Sequence, residues 1–510
     1  MTVNIGELLT RQANLNPDKE ALVETANGRR FSYRELNGRS NRVANGLHAL
    51  ELAKGDRVGL LLMNSTEFVE SFFAVGKVGG VIVPLNWRLV ADELEFILSD
   101  AGTSVLIFGA EFAELAAELR GRDSTPIEHW IQAGGESAEG VVGYDDWLAA
   151  QSDAEPAPIG TGDDLMFIMY TSGTTGLPKG VIHSHNTVLW SLLTIMATSD
   201  FRNDDRYLNT LPMFHVGALS PMLSCIYGGV TLVVVRAFDP NDAWKQIGDE
   251  AITTTLMVPA MLQFMLAVYD PDKHDASTVR WVMSGAAPVP VALIEAYIGM
   301  DIDINQVYGL TESCGPACLI TGQDAIERAG STGRAFFHTD VRVVRPDGSD
   351  CDPDEKGEVL VAGPHIMLGY WNRPEATAET IVDGWLHTGD VATMDADGFV
   401  TIVDRTKDML ISGGENVYPA EIENVLLSHP GIADAGVIGV PSEKWGESPL
   451  AVIVRSDGDL SADDVIAYTK GKLAPFKTVK VVEFVDEIPR NPSGKILKRD
   501  LREQFSEPVD

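Results

Sequence analysis

The sequence predicts an α/β protein, with a large N-terminal α/β body and a small α+β C-terminal domain. Three observations carry this. Short apolar runs alternate with helix-periodic segments through the first third of the chain. After about residue 340, brief β-like pieces stand between turn dipeptides. Beyond Asp404 a Pro-opened helix, a second capped helix and a basic tail follow. At 510 residues the chain exceeds one ordinary domain. We place the boundary so that 1–404 and 405–510 form the two units.

Val58–Met63 is apolar and short, suited to a buried strand. Asn64 precedes Glu67 by three, a helix-start pattern, and an apolar-periodic stretch runs to Lys77. A strand Val81–Val83 ends at Pro84, a helix covers Ala91–Ser99, and Val105–Phe108 is the next strand. Further buried strands are expected at Leu165–Tyr170, Val230–Val235, Thr254–Val258 and Arg280–Ser284. Tyr207–Val235 carries no Asp, Glu, Lys or Arg. It is long enough to span a bilayer, yet Pro212, Pro221 and Gly228-Gly229 favour a buried helix, a turn and a buried strand. Turns are expected at Pro346–Gly348, Asp383-Gly384 and Asp397-Gly398. In the last unit Pro419 opens a helix with Ile422, Val425 and Leu426 on its apolar face, and Ser461 with Asp464 caps another.

Charge narrows the function. Seventy-four acids against 39 bases give a net charge of −35, which repels a nucleic-acid backbone. Any anionic ligand then needs a local site of amides, Lys, Arg or metal. Four cysteines in so long a chain make no disulfide framework and point to a reducing compartment. The N-terminus shows no secretory pattern, so a cytoplasmic location is expected.

The densest chemical signal is Tyr170-Thr-Ser-Gly-Thr-Thr-Gly-Leu-Pro-Lys-Gly180, directly after a predicted buried strand. Glycines let backbone amides approach an anion, hydroxyls donate to phosphate oxygens, and one Lys neutralises charge. The spacing is not that of a Walker A loop, because Pro178 and Gly180 occupy two of its required positions. His183-x-His185 has metal-ligand character but no third ligand.

The loop resembles the phosphate loop of the adenylate-forming superfamily, which includes acyl-CoA synthetases, luciferase and peptide-synthetase adenylation domains. Other stretches agree in order: Gln306-Val-Tyr-Gly-Leu-Thr-Glu-Ser313, Gly384-Trp-Leu-His-Thr-Gly-Asp390, Asp404-Arg-Thr-Lys-Asp408, Ser412–Glu421 and Pro489-Arg-Asn-Pro-Ser-Gly-Lys495. The resemblance implies the adenylate-forming fold with a mobile C-terminal domain. It also implies a two-step reaction: a carboxylate attacks the α-phosphate of ATP, and CoA thiol then displaces AMP. ATP, Mg²⁺ and CoA are the implied small-molecule partners. Two anions must be held in line, so their repulsion must be offset.

Carried over residue by residue, Thr171, Ser172, Gly173, Thr174, Thr175, Gly176 and Lys179 would hold the β- and γ-phosphates. Glu312 and Thr175 would hold Mg²⁺, and Thr311 would reach a phosphate oxygen. Tyr308 would face adenine, with Gly285, Ala286 and Ala287 opposite, and Gln306 and Gly309 would belong to the ATP site. Asp390 and Arg405 would bind ribose. Lys495 would stabilise charge in the first transition state, and Lys407 would be the hinge. Ser412, Gly413 and Gly414 would line the CoA path.

His215 matches a histidine beside the acyl carboxylate. Amino-acid-activating relatives place Asp after the preceding Phe, so Phe214-His215 argues against an amino acid. His215, Val216, Gly217, Val307 and Gly309 would bound the acyl pocket. Gly217 and Gly309 stand where relatives using hydroxycinnamates or acetate carry bulky rings, which suggests a deep pocket. Val258, Met257, Met261, Met283, Leu310 and Ala317 are its candidate lining. The nearest resemblance is to bacterial medium- to long-chain fatty acyl-CoA synthetases. Val307 narrows the pocket, and the acidic segment Asp200–Arg206 differs from a basic membrane-facing patch. The alternatives are an aryl- or cinnamoyl-CoA ligase, an acyl-AMP ligase loading a carrier protein, and a non-catalytic nucleotide-binding module. No nucleic acid and no transmembrane segment is expected, and a homodimer is left open.

Overall fold

The computed structural model describes residues 3–171, 178–286, 289–328, 330–405, 408–412, 415–442, 445–456, 458–470, 472–473, 475, 477–490 and 495–505, with backbone alone at 322, 323, 405, 411, 415, 416 and 446. Four sheets organise these residues.

The nine-stranded sheet runs in the order Arg334–Ala335, Cys318–Ile320, Asp303–Tyr308, Trp281–Gly285, Thr254–Met257, Arg206–Asn209, Thr231–Val234, Glu20–Glu24, Arg29–Ser32. From Asp303–Tyr308 to Glu20–Glu24 all neighbours are parallel. The eight-stranded sheet runs Gly369–Tyr370, Lys179–Ser184, Leu165–Thr171, Val81–Pro84, Arg57–Leu61, Thr103–Gly109, His129–Ala133, Val142–Gly143. Its first two pairings are antiparallel and the others parallel. Apolar side chains between the strands and helices of these two sheets form the main core, where Phe68, Phe72, Phe73, Tyr207 and Trp244 are fully buried. Packed helices cover parallel sheets because their strands are apolar on both faces.

A third sheet, built on Asp340–Val344, Gly357–Ala362 and Trp385–Met394, carries the β-like region after residue 340. Its hairpin at Asp383-Gly384 has φ of 51° and 82°, the left-handed pair that a two-residue hairpin turn requires. The C-terminal domain has its own sheet, Glu415–Val417, Leu410–Ser412, Gly446–Arg455, Ile432–Ser442 and Val481–Phe484, and its own apolar clusters. Helix Pro419–Leu427 buries Ile422 and Leu426, and Ser461 and Asp464 exchange the expected capping bonds. The Lys356 ammonium lies 4.3 Å from the centre of the Tyr418 ring, joining this domain to the body.

One local expectation changes. Helix Thr66–Lys77 is capped by Ser65, whose side chain accepts from Phe68 N, and not by Asn64. Asn64 is buried and instead bonds Leu211 O, Val235 O and Met213 N, tying the two large sheets together. The uncharged stretch holds the expected buried helix, Val216–Gly228, and buried strand, Thr231–Val234, after a strand Arg206–Asn209. Among the described residues no helix is long and apolar enough to cross a membrane.

Candidate active site

Thr171, Gly285 and Tyr308 end strands that have parallel neighbours, at the carboxyl edge where open α/β sheets leave a crevice. On the phosphate side, Leu165–Thr171 and Lys179–Ser184 pair so that Thr171 lies opposite Lys179. Ser172, Gly173, Thr174, Thr175 and Gly176 lie outside the described residues. The Lys179 ammonium stands 4.9 Å from the centre of the Tyr370 ring. Tyr370 in turn donates its hydroxyl to Glu312 Oε1 at 2.9 Å.

Glu312 and Thr311 sit on the loop after strand Asp303–Tyr308, and this loop is held by its carbonyls. His183 Nε2 bonds Thr311 O at 2.8 Å, and Met367 N bonds Glu312 O at 2.8 Å. His365 Nδ1 bonds Ser313 O at 2.9 Å, and the Ser191 and Ser220 hydroxyls both donate to Cys314 O at 2.9 Å. Cys314, with φ of 56°, and Gly315, with φ of 116°, turn the chain sharply enough to present those oxygens. His183 and His365 are fully buried, and burial pushes each imidazole down to about 4. Both are neutral at neutral pH, so each can give its N–H to a carbonyl. His183 therefore holds the loop, with its other ring nitrogen 3.2 Å from Thr187 Oγ1. His185 is likewise buried, its Nδ1 accepting from Ile5 N at 3.0 Å. Glu312 Oε2 makes no hydrogen bond among the described residues, which fits a Mg²⁺ site taking one carboxylate with phosphate and water.

On the nucleotide side the Tyr308 hydroxyl donates to Asp390 Oδ2 at 2.6 Å. Burial and the Asp390 charge raise the phenol well above its ordinary value. Asp390 pairs with Arg405 across the antiparallel strands, although the Arg405 side chain lies outside the described residues. Ser284 lies opposite Gln306 on neighbouring strands, and both Ser284 Oγ and Gln306 Nε2 are buried without a partner among the described residues. Unsatisfied buried donors are costly, so their presence here fits a ligand rich in hydrogen-bonding atoms. A β-carbon at Gly285 would come within 2.4 Å of Val307 O, so glycine lets these strands close. Ala286 adopts φ of 68°, a strained value for a residue with a side chain. Ala287 lies outside the described residues.

His215 occupies the cap position of helix Val216–Gly228, and its own carbonyl accepts from Ala218 N and Leu219 N. Its ring lies 4.4 Å from that of Phe214, and Nε2 is buried without a partner among the described residues. Burial, and secondarily the Arg88 cation, push the imidazole down to about 4. Arg88 stacks 4.2 Å from the Trp87 ring, which meets Phe214 edge-on. Gly217 opens into space: a β-carbon there would touch only Leu211 Cδ1, at 3.7 Å.

Gly309 corrects the expectation of a second empty slot. A β-carbon there would fall 1.5 Å from Gly315 O, so the backbone of the 310–315 loop already fills the position. The proposed lining is also dispersed. Met257, Val258 and Met261 belong to the main core, Met283 packs with Ile195, Trp281 and Phe336, and Ala317 packs with the third sheet. Val216 and Val307 are half-buried.

In the C-terminal domain Lys495 is half-buried beside Ile496, which forms an isolated bridge with Arg490. Ser412 Oγ is buried and has no partner among the described residues. Lys407, Gly413 and Gly414 lie outside the described residues. Sequence reasoning missed Tyr370, His365 and Arg88, and it weighed His183 as a metal ligand and Asn64 as a helix start instead. The cue closest to a signal was Gly369-Tyr-Trp371, aromatic and unaligned with any helix period.

The family model for AMP-binding enzymes matches residues 9–371, and that for the AMP-binding enzyme C-terminal domain matches 421–495. The chain belongs to the AMP-binding enzyme family. Long-chain-fatty-acid–CoA ligase FadD13 of Mycobacterium tuberculosis is 44% identical over 508 residues, covering 99% of each chain. Feruloyl-CoA synthase of an Amycolatopsis species is 40% identical over 503 residues, covering 98% of this chain and 99% of that one. Among solved structures, the anthranilate CoA ligase AuaEII in complex with anthranoyl-AMP superposes with a TM-score of 0.92 at 29% identity, covering 99% and 97%. This AMP-binding enzyme is an AMP-forming acid–thiol ligase that uses ATP, Mg²⁺ and CoA with a carboxylic acid.

Proposed function

We propose that the enzyme activates a medium- to long-chain fatty acid to acyl-AMP and transfers the acyl group to CoA, releasing pyrophosphate and AMP. What carries the reading is the buried His215 Nε2, without a partner among the described residues, beside the open position at Gly217. A neutral imidazole there receives a carboxylate without adding a counter-charge, and the glycine leaves room for a tail.

In this reading Thr171, 172–176 and Lys179 hold the β- and γ-phosphates, with Mg²⁺ on Glu312 and Thr175. The metal, when bound, offsets phosphate charge. Tyr308, Gln306 and 285–287 flank adenine, while Asp390 and Arg405 take the ribose. Lys495 stabilises the charge that builds as the carboxylate attacks. Lys407 lets 405–510 turn against 1–404, and 412–414 line the path for the thiol. The reading places the enzyme in the cytoplasm, and a homodimer is compatible with it.

A second reading, an aryl-CoA ligase, draws on the Trp87–Phe214 ring pair beside His215. Relatives named for feruloyl-CoA and indoleacetate point the same way. AMP release on adding CoA separates the two, measured across saturated acids from acetate to palmitate and against ferulate, cinnamate and anthranilate. The fatty-acid reading expects kcat/KM to peak at eight carbons or longer. A higher value for any aromatic acid replaces it. Acyl-AMP that accumulates despite CoA, and discharges only onto a carrier protein, replaces both.

A further inference from the structure

We propose that Tyr370 is a positioning residue for the metal–phosphate half of the site. Its hydroxyl orients the Glu312 carboxylate and its ring seats the Lys179 ammonium, so that these opposite charges stay apart before nucleotide enters. The proposal rests on the reading of Glu312 as the metal ligand and Lys179 as a phosphate ligand.

The geometry is local and fixed. Tyr370 Oη reaches Glu312 Oε1 at 2.9 Å while the Lys179 ammonium sits 4.9 Å from the ring centre. One aromatic side chain thus touches both charges, 58 residues from one and 191 from the other. Neither Lys179 nor Glu312 makes an ion pair among the described residues. Most described arginines do meet a carboxylate, as Arg39, Arg280 and Arg373 do. A direct Lys–Glu pair in the crevice would have to break before the metal and triphosphate could take their places. An ammonium on an aromatic face is held more weakly and remains available.

The ring does not follow its charges, because its backbone is anchored from several directions. Tyr370 pairs with Val181 and Gly369 with Ile182 on the strand that begins at Lys179. Trp371 N donates to Gly180 O at 2.7 Å, and Tyr370 N donates to Thr377 Oγ1 at 2.9 Å. Asp100 then takes the Trp371 indole on its carbonyl, and the Arg373 guanidinium and Tyr170 hydroxyl on its carboxylate. At Gly369 a β-carbon would lie 2.5 Å from the Thr377 side chain, so helix Pro374–Thr380 closes over the strand. Met367 N, three residues before Tyr370, also holds Glu312 O.

The test uses the full chain with Tyr370→Phe, Tyr370→Leu and Glu312→Gln. Binding of Mn²⁺ with a non-hydrolysable ATP analogue is read by electron paramagnetic resonance, and binding of AMP alone by calorimetry. Loss of a hydrogen bond to a charged group predicts that Tyr370→Phe weakens the Mn²⁺–analogue complex about tenfold. AMP, which needs neither the metal nor Lys179, stays within twofold. Tyr370→Leu, which also removes the ring, weakens the analogue further. Unchanged Mn²⁺–analogue binding in Tyr370→Phe, with a loss in Glu312→Gln, overturns the role of Tyr370 alone. Unchanged binding in Glu312→Gln removes Glu312 as the metal ligand and Tyr370 with it. Parallel weakening of AMP and analogue, or an unfolded Phe variant, shows the hydroxyl to be structural and overturns the proposal as well.

Discussion

Replacing Gly217 with Phe tests where the acyl chain runs. Gly217 is the second residue of helix Val216–Gly228, next to His215, and its φ is ordinary. Among the described residues only Leu211 Cδ1, at 3.7 Å, faces a β-carbon there, which is normal contact. Gly217→Ala should therefore fold as the parent does. A phenyl ring occupies the volume of about four methylenes, and each buried methylene contributes about 0.8 kcal/mol. Dodecanoate should lose about 3 kcal/mol, or roughly two hundredfold in kcat/KM. Acetate and propionate have no tail to displace and should hold their rates. The assay is AMP release along a chain-length series within the one variant, with circular dichroism to confirm the fold. A parallel decline for short and long acids refutes the placement. Gly309 provides the contrast. There even alanine must displace the Gly315 carbonyl, so Gly309→Ala should cost about 2 kcal/mol of stability through overpacking, read as a lower Tm at every chain length.

Three other outcomes follow from the same site. His183, His185, His215 and His365 are each pushed down to about 4 by burial, against about 6.5 in an unfolded chain. Between those values the unfolded state binds more protons, so stability is full above about pH 6.5 and falls as pH drops toward 4, by about 3 kcal/mol per histidine that stays neutral. A Tm that is flat from pH 7.5 to 5 would contradict this. Lys495→Ala should abolish acyl-AMP formation yet leave thioester formation from supplied acyl-AMP and CoA near normal; equal losses in both halves would remove its assigned role. Lys407→Pro fixes φ near −65° and should let acyl-AMP accumulate while thioester formation stops, and normal turnover with CoA would take the hinge out of the mechanism.

Much of the fold was legible because its signals are local. Parallel strands buried on both faces must be short apolar runs, and Leu165–Thr171, Thr103–Gly109 and Trp281–Gly285 lie within two residues of where such runs were read. Asp383-Gly384 specified its own hairpin through two left-handed residues. The expectation of a phosphate loop rests on composition, since binding an anion next to a strand demands glycine, hydroxyl and lysine together. Asn64 shows the limit of local reading. It satisfies the helix-start pattern, but its amide is worth more between two sheets, and Ser65 takes the cap.

The sequence by itself determined the class of enzyme and the order of its parts. Those properties follow from residue type and spacing along the chain. Only the tertiary structure decided which glycine is empty. Gly217 and Gly309 are identical in sequence, but a carbonyl 1.5 Å from the missing β-carbon fills one and open space adjoins the other. It also decided what holds Glu312. Tyr370 lies on a two-residue strand with no periodicity to announce it, and its position comes from pairing with a strand nearly two hundred residues away. Contacts of that range are fixed by packing and register, which no local pattern encodes.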